Sequence, residues 1–145
     1  ANKLQEDLTM SKIAKRIVAG ASAMILAFGN MAMTAGAASG TGKVDGIPVK
    51  YSTSITETRS RSTSSFQEDP TRYDFKLELG IAYQHRNQQT GYVTTTLAEP
   101  VEASGGGISH QINAPTNCTM VLASTKHTFW VNDGIGTVFN SKAEY

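Results

Sequence analysis

The chain has 145 residues, enough for one ordinary domain and too few for two, and its single cysteine, Cys118, excludes an intramolecular disulfide framework, so stability has to come from a packed core. The formal net charge of +1 is carried by the N-terminal stretch, where Lys3, Lys12, Lys15 and Arg16 outnumber Glu6 and Asp7. Without residues 1–37, nine basic and ten acidic residues remain, leaving no basic patch to engage a phosphate backbone, and nucleic acid is not an expected partner.

From Met10 the sequence follows the order of a secretory signal: cationic Lys12, Lys15 and Arg16, an apolar run over residues 17–28, and small residues fitting A-x-A at Ala35-Gly36-Ala37. A signal-peptide helix is therefore predicted within 10–37, with cleavage between Ala37 and Ala38. The apolar run is shorter than the roughly 20 residues that span a bilayer, so no stable membrane insertion is expected after cleavage. Ahead of it, Gln5-Glu6-Asp7 admits the codons CAG GAG GAT, which contain the bacterial ribosome-binding sequence AGGAGG. Residues 1–9 accordingly read as an untranslated or non-native leader of a bacterial gene.

Residues 38–46, ASGTGKVDG, have little to bury and three glycines, and read as a flexible lead-in. Residues 47–145 read as a single all-β domain. Val49, Tyr51, Thr53 and Ile55 alternate with polar residues, as do Tyr73, Phe75, Leu77, Leu79, Ile81 and Tyr83, and a period of two puts one set on a core face. Residues 72–98 read as a hairpin turning at HRNQQTG. EPVEASGGG breaks the pattern. ISHQIN, TMVLAST, KHTFWV and TVFNSKAEY follow as short strands, with a turn at Asn132-Asp133-Gly134. The predicted class is all-β: a small antiparallel β-sandwich, or partly open barrel, of about seven strands.

Chemistry-bearing residues are sparse. His85, His110 and His127 lie on separate segments without metal-ligand spacing, and no cofactor is expected. Ser109, His110 and Asp133 supply the residue types of a hydrolytic triad, and GGGIS a glycine-rich stretch beside them, but a triad is defined by geometry and no G-x-S-x-G elbow occurs. The lone cysteine reads as a small buried apolar residue.

Four residues are the binding candidates. Trp130, between Phe129 and Val131, faces outward if its neighbours face the core, and exposed aromatics mark sugar or protein contacts. Arg59 and Arg61, two apart on one face of a strand, suit an anionic group, or serve as charges on a soluble edge strand. Tyr92 is a weaker aromatic candidate. Together these features lead to the expectation of a secreted, extracellular, non-enzymatic bacterial β-sandwich that binds a glycan, a cell-envelope component or a protein through its surface. Two alternatives share the same sequence: a bacteriocin-like or toxin-like protein acting on neighbouring cells, and a structural subunit assembling by strand addition with 38–46 as the donor.

Overall fold

The computed structural model describes residues 34–145. The leader and nearly all of the predicted signal segment lie outside them. Among the described residues the chain is all-β, with nine strands of four or more residues and one of two: β1 (Thr34–Ala35), β2 (Ala37–Val44), β3 (Ile47–Ile55), β4 (Arg59–Phe66), β5 (Phe75–Asn87), β6 (Val93–Leu97), β7 (Val101–Ser104), β8 (Gly107–Asn113), β9 (Cys118–Val131) and β10 (Thr137–Glu144). No described helix is long and apolar enough to cross a membrane.

The strands form two facing sheets. One runs β1-β10-β9-β5-β6, with β7 also paired to β5; the other runs β2-β3-β4-β8. All pairings are antiparallel except β1 with β10. Glycines fasten the two sheets at their corners. Gly36, at φ +76°, donates its N–H to the Glu144 carbonyl of one sheet and accepts from Ile55 N–H of the other. Gly105 N–H donates to the Phe75 carbonyl of β5, while the Gly106 carbonyl accepts from Phe66 N–H of β4. The GGG run is thus a corner where the chain changes sheets.

Residues 38–46, which composition assigns to a flexible lead-in, are instead edge strand β2 and its turn. Ala37–Val44 pairs with β3 along its whole length. The glycines are there for room: a Cβ on Gly40 would meet the Tyr51 ring at 2.3 Å, and one on Gly42 the Phe139 ring at 2.5 Å. Asp45 and Gly46, both at positive φ, form the two-residue turn into β3 that the Asp-Gly pair favours. EPVEASGGG likewise contains a short strand, β7, and the two predicted strands TMVLAST and KHTFWV are one, β9. β4 lies between β3 and β8, so Arg59 and Arg61 do not sit on an edge strand. Cys118 is half-buried.

The core has two apolar ends. Val44, Ile47, Val49, Phe66, Phe75, Leu77, Phe129 and Val131 fill one, where Phe66 stacks on Phe75 with centroids 3.8 Å apart and meets Phe129 edge-on. Ile55, Met120, Ala123 and Ala143 fill the other. Between them runs a seam of hydroxyls. β4 turns Ser60, Ser62 and Ser64 inward and leaves its arginines outside, reversing what polarity alone suggests.

Buried polar groups must be satisfied or they cost stability, and this seam is a chain of five hydrogen bonds. Ser62 meets Thr125 at 2.6 Å, Thr125 meets Thr53 at 2.6 Å, and Thr53 meets Ser141 at 2.6 Å. Ser141 then meets His127 Nε2 at 2.7 Å, and His127 Nδ1 meets Ser64 at 2.7 Å. Proton counting orients it. Thr53 donates to Thr125, so Ser141 must donate to Thr53; Ser141's only proton is then used, and His127 Nε2 must carry the hydrogen. Ser64 donates to the bare Nδ1.

Ser60 stands apart from this chain. It is 1% exposed and its hydroxyl has no hydrogen-bond partner. Removing an unpaired buried hydroxyl removes a desolvation penalty, so Ser60→Ala is expected to stabilise the fold by about 1 kcal/mol in urea denaturation.

Candidate functional site: a cleft beside Trp130

Strand parity decides which side chains reach the outer surface of the larger sheet. Phe129 and Val131 are buried in the core, so Trp130 between them points out, opposite Lys76 of β5. The same face carries Glu78, paired across the strands with Glu102 of β7, and Ser104, paired with Lys76. The turn at Asn132 and Asp133, both with φ above zero, closes with a 3.0 Å bond from Gly134 N–H to the Val131 carbonyl. Its geometry brings Asp133 to within 3.2 Å of Lys76 Nζ.

Together these elements enclose an open cleft of about 630 Å³ lined by Lys76, Glu102, Ser104, Trp130, Asp133 and Gly134, among others. Trp130 is half-buried because its indole rests against Gly136: a Cβ there would approach the indole nitrogen to 2.7 Å and Cε2 to 2.9 Å. Gly136→Ala is therefore expected to displace the indole from its seat. Since Trp130 is the chain's one tryptophan, the displacement will show as a red shift of the intrinsic emission, with little loss of folding stability.

The charges of the cleft are partly self-compensated. Lys76 and Asp133 form an exposed ion pair, 54% and 72% exposed, which orients both groups and contributes little to stability. Glu78 and Glu102 stand directly opposite one another, an unfavourable arrangement for two carboxylates. Partial burial raises the pKa of Glu78, helped by the hydrogen bond its protonated form donates to Glu102 and by that residue's charge; Lys126 pulls the other way. At the cleft's edge the pair concentrates carboxylate oxygens that can accept from ligand hydroxyls.

The other candidates lie elsewhere. Arg59 and Arg61 are exposed on the outer face of the smaller sheet, in a shallow depression of about 130 Å³ with Ser54 and Thr56. Arg61 reaches Gln111 at 3.5 Å. Tyr92, 76% exposed, follows the β5–β6 turn, near the end of β5 remote from Lys76. Trp130, the arginine pair and Tyr92 are thus three separate places. Lys76, Glu102 and Asp133, which complete the cleft, are invisible in the local sequence because β5, β7 and the β9–β10 turn supply one each.

The residue types of a hydrolytic triad are not assembled. His110 pairs opposite Ser62 in the smaller sheet, while Asp133 is bound to Lys76 on the larger one. The two serine–histidine contacts among the described residues, Ser64 and Ser141 with His127, are inside the core, with His127 0% exposed. Among the described residues no group of three or more His, Cys, Asp or Glu side chains is placed to hold a metal ion.

Fold and site define an all-β, sandwich-like protein with an aromatic cleft on one sheet. No protein-family model matches the chain, and no curated protein matches it significantly.

Proposed function

We propose that this is a secreted bacterial, non-catalytic β-sandwich that binds an extracellular ligand through the cleft beside Trp130, with a glycan of the cell envelope or surroundings as the preferred class. The observation that carries this reading is the cleft itself: a seated indole flanked by Lys76, Asp133, Glu102 and Ser104. Sugars present apolar faces that stack on an indole and hydroxyls that need donors and acceptors at their rim. A flat aromatic surface with oriented charges on either side meets both needs, and the side chains are held by strands and a tight turn rather than by loose loops. The cationic start and apolar run over residues 12–28, read as the front of an export signal, support the same placement outside the cell.

Screening the purified protein against a glycan array, followed by titration of the best binder, tests this reading. Trp130→Ala is expected to weaken binding roughly tenfold or more, since an aromatic stacking contact contributes on the order of 1 kcal/mol beyond its buried area. Binding that is unchanged in Trp130→Ala, or that is lost only in Arg59→Ala or Tyr92→Ala, would remove the cleft from the account.

A further inference from the structure

β6 ends the larger sheet, with β5 on one side and no described strand on the other. Hydrogen bonds at both ends of the β5–β6 pairing fix its parity. Asn87 N–H donates to the Tyr92 carbonyl, and Ala98 N–H donates to the Ile81 carbonyl. In an antiparallel ladder the bonded pairs alternate, so Thr94 and Thr96 direct their N–H and C=O groups at β5. Val93, Thr95 and Leu97 direct theirs at the open edge.

Natural sheets guard such edges with charge, proline or bulges. β6, VTTTL, has none of these. It also displays bulky apolar surface: Tyr92, Val93 and Leu97 are 76%, 46% and 38% exposed. Among the described edge strands, β6 alone joins the absence of charge and proline to exposed large apolar side chains. β1 is only two residues long, β2 carries Lys43, β7 carries Glu102 and β8 shows no exposed large apolar residue, while β10, covered by β1 only at Ala143 and Glu144, carries Lys142 and Glu144.

We propose that this edge pairs with β6 of a second copy of the chain, in a two-fold antiparallel dimer centred on Thr95. The occupant follows from self-complementarity. Centring on Thr95 sets Thr95 against Thr95, Val93 against Leu97 and Leu97 against Val93 of the second copy. All three outward-facing residues then fall in bonded pairs, and every free N–H and C=O on both edges finds a partner. The same register sets Val93 beside the second copy's Leu97 on one face, twice over, and brings no like charges together on β6. The result is a continuous sheet through both molecules, an isologous contact that closes after two copies. It leaves the Trp130 cleft, near the other end of β5, open on each.

Sedimentation or light-scattering of the purified protein tests the proposal, with variants placed at the centre of the register. A concentration-dependent dimer is expected. It should be lost in Thr95→Pro, which removes an N–H that points away from β5 and so leaves the β5–β6 ladder intact. In a Cys118→Ser background, Thr95→Cys should cross-link on mild oxidation, because paired residues of this kind have Cα atoms about 5.5 Å apart, within disulfide reach. Val93→Cys, opposite Leu97 rather than itself, should not. A single-chain mass at every concentration overturns the proposal and leaves the edge to an extended segment of another protein. So does a dimer that survives Thr95→Pro and cross-links no better through Thr95→Cys than through Val93→Cys.

Discussion

Acidification from pH 7 to pH 4 is expected to remove about 3 kcal/mol of folding stability through His127 alone. The imidazole is 0% exposed, and burial pushes its pKa down from 6.5 to about 3. In the unfolded chain the same group takes up a proton near pH 6.5. Below that pH the unfolded state binds one proton more than the folded state, so stability falls as pH falls, by about 1.4 kcal/mol per pH unit, until the folded state also protonates near pH 3.

Protonation in place is disfavoured for a structural reason. Nδ1 accepts its hydrogen bond from Ser64, and a hydrogen on that nitrogen would force the serine to turn its own proton elsewhere within a closed seam. Glu78 acts in the opposite sense. Its raised pKa contributes stability below the ordinary carboxylate range, offsetting a small part of the loss. Urea denaturation followed across pH 4–7 measures the slope. His127→Gln, which cannot titrate, is expected to be less stable at pH 7 and to lose most of the pH dependence. A wild-type slope near zero between pH 4 and 6 would show that His127 is not held neutral in the core.

Phe129→Ala is expected to cost about 3–5 kcal/mol, the range for emptying a fully buried phenylalanine site. Phe129 is 0% exposed and joins aromatic rings of both sheets and the closing strand: Phe66 at 5.2 Å and 86°, and Phe139 at 5.8 Å and 79°. These rings are held by strands on all sides, so the space left behind has little freedom to collapse. The effect should extend to the surface, because Phe129 and Val131 are the two anchors that fix the outward direction of Trp130. Thermal unfolding followed by circular dichroism reads the first effect, and a change in Trp130 emission reads the second. A loss below about 1 kcal/mol would mean that the aromatic cluster is not packed as described.

Much of the architecture was legible from residue alternation. The period of two in Val49–Ile55 and Tyr73–Tyr83 located β3 and most of β5, and the apolar neighbours of Trp130 gave its direction. Two departures from the sequence reading share one cause, which is that polarity and small size were taken as signs of exposure or flexibility. Gly40 and Gly42 sit in a strand because the rings of Tyr51 and Phe139 occupy the space their side chains would need. Ser62 and Ser64 point inward because Thr125 and His127 of β9 satisfy them from the other sheet, partners more than sixty residues away that no local pattern can show. The gathering of Lys76, Glu102 and Asp133 at one cleft escaped notice for a related reason. Their joint position depends on the β5–β7 and β5–β9 registers, not on spacing within any one segment.

The cleft beside Trp130 is most directly tested by two-dimensional amide NMR during titration with the glycan selected by array screening. The single indole N–H gives one resonance that reports on the site. That resonance is expected to shift with saturating behaviour, together with the amides of Lys76, Glu102, Ser104 and Asp133. An indole resonance that stays fixed while shifts gather at Arg59 and Arg61, or around Tyr92, would contradict the account.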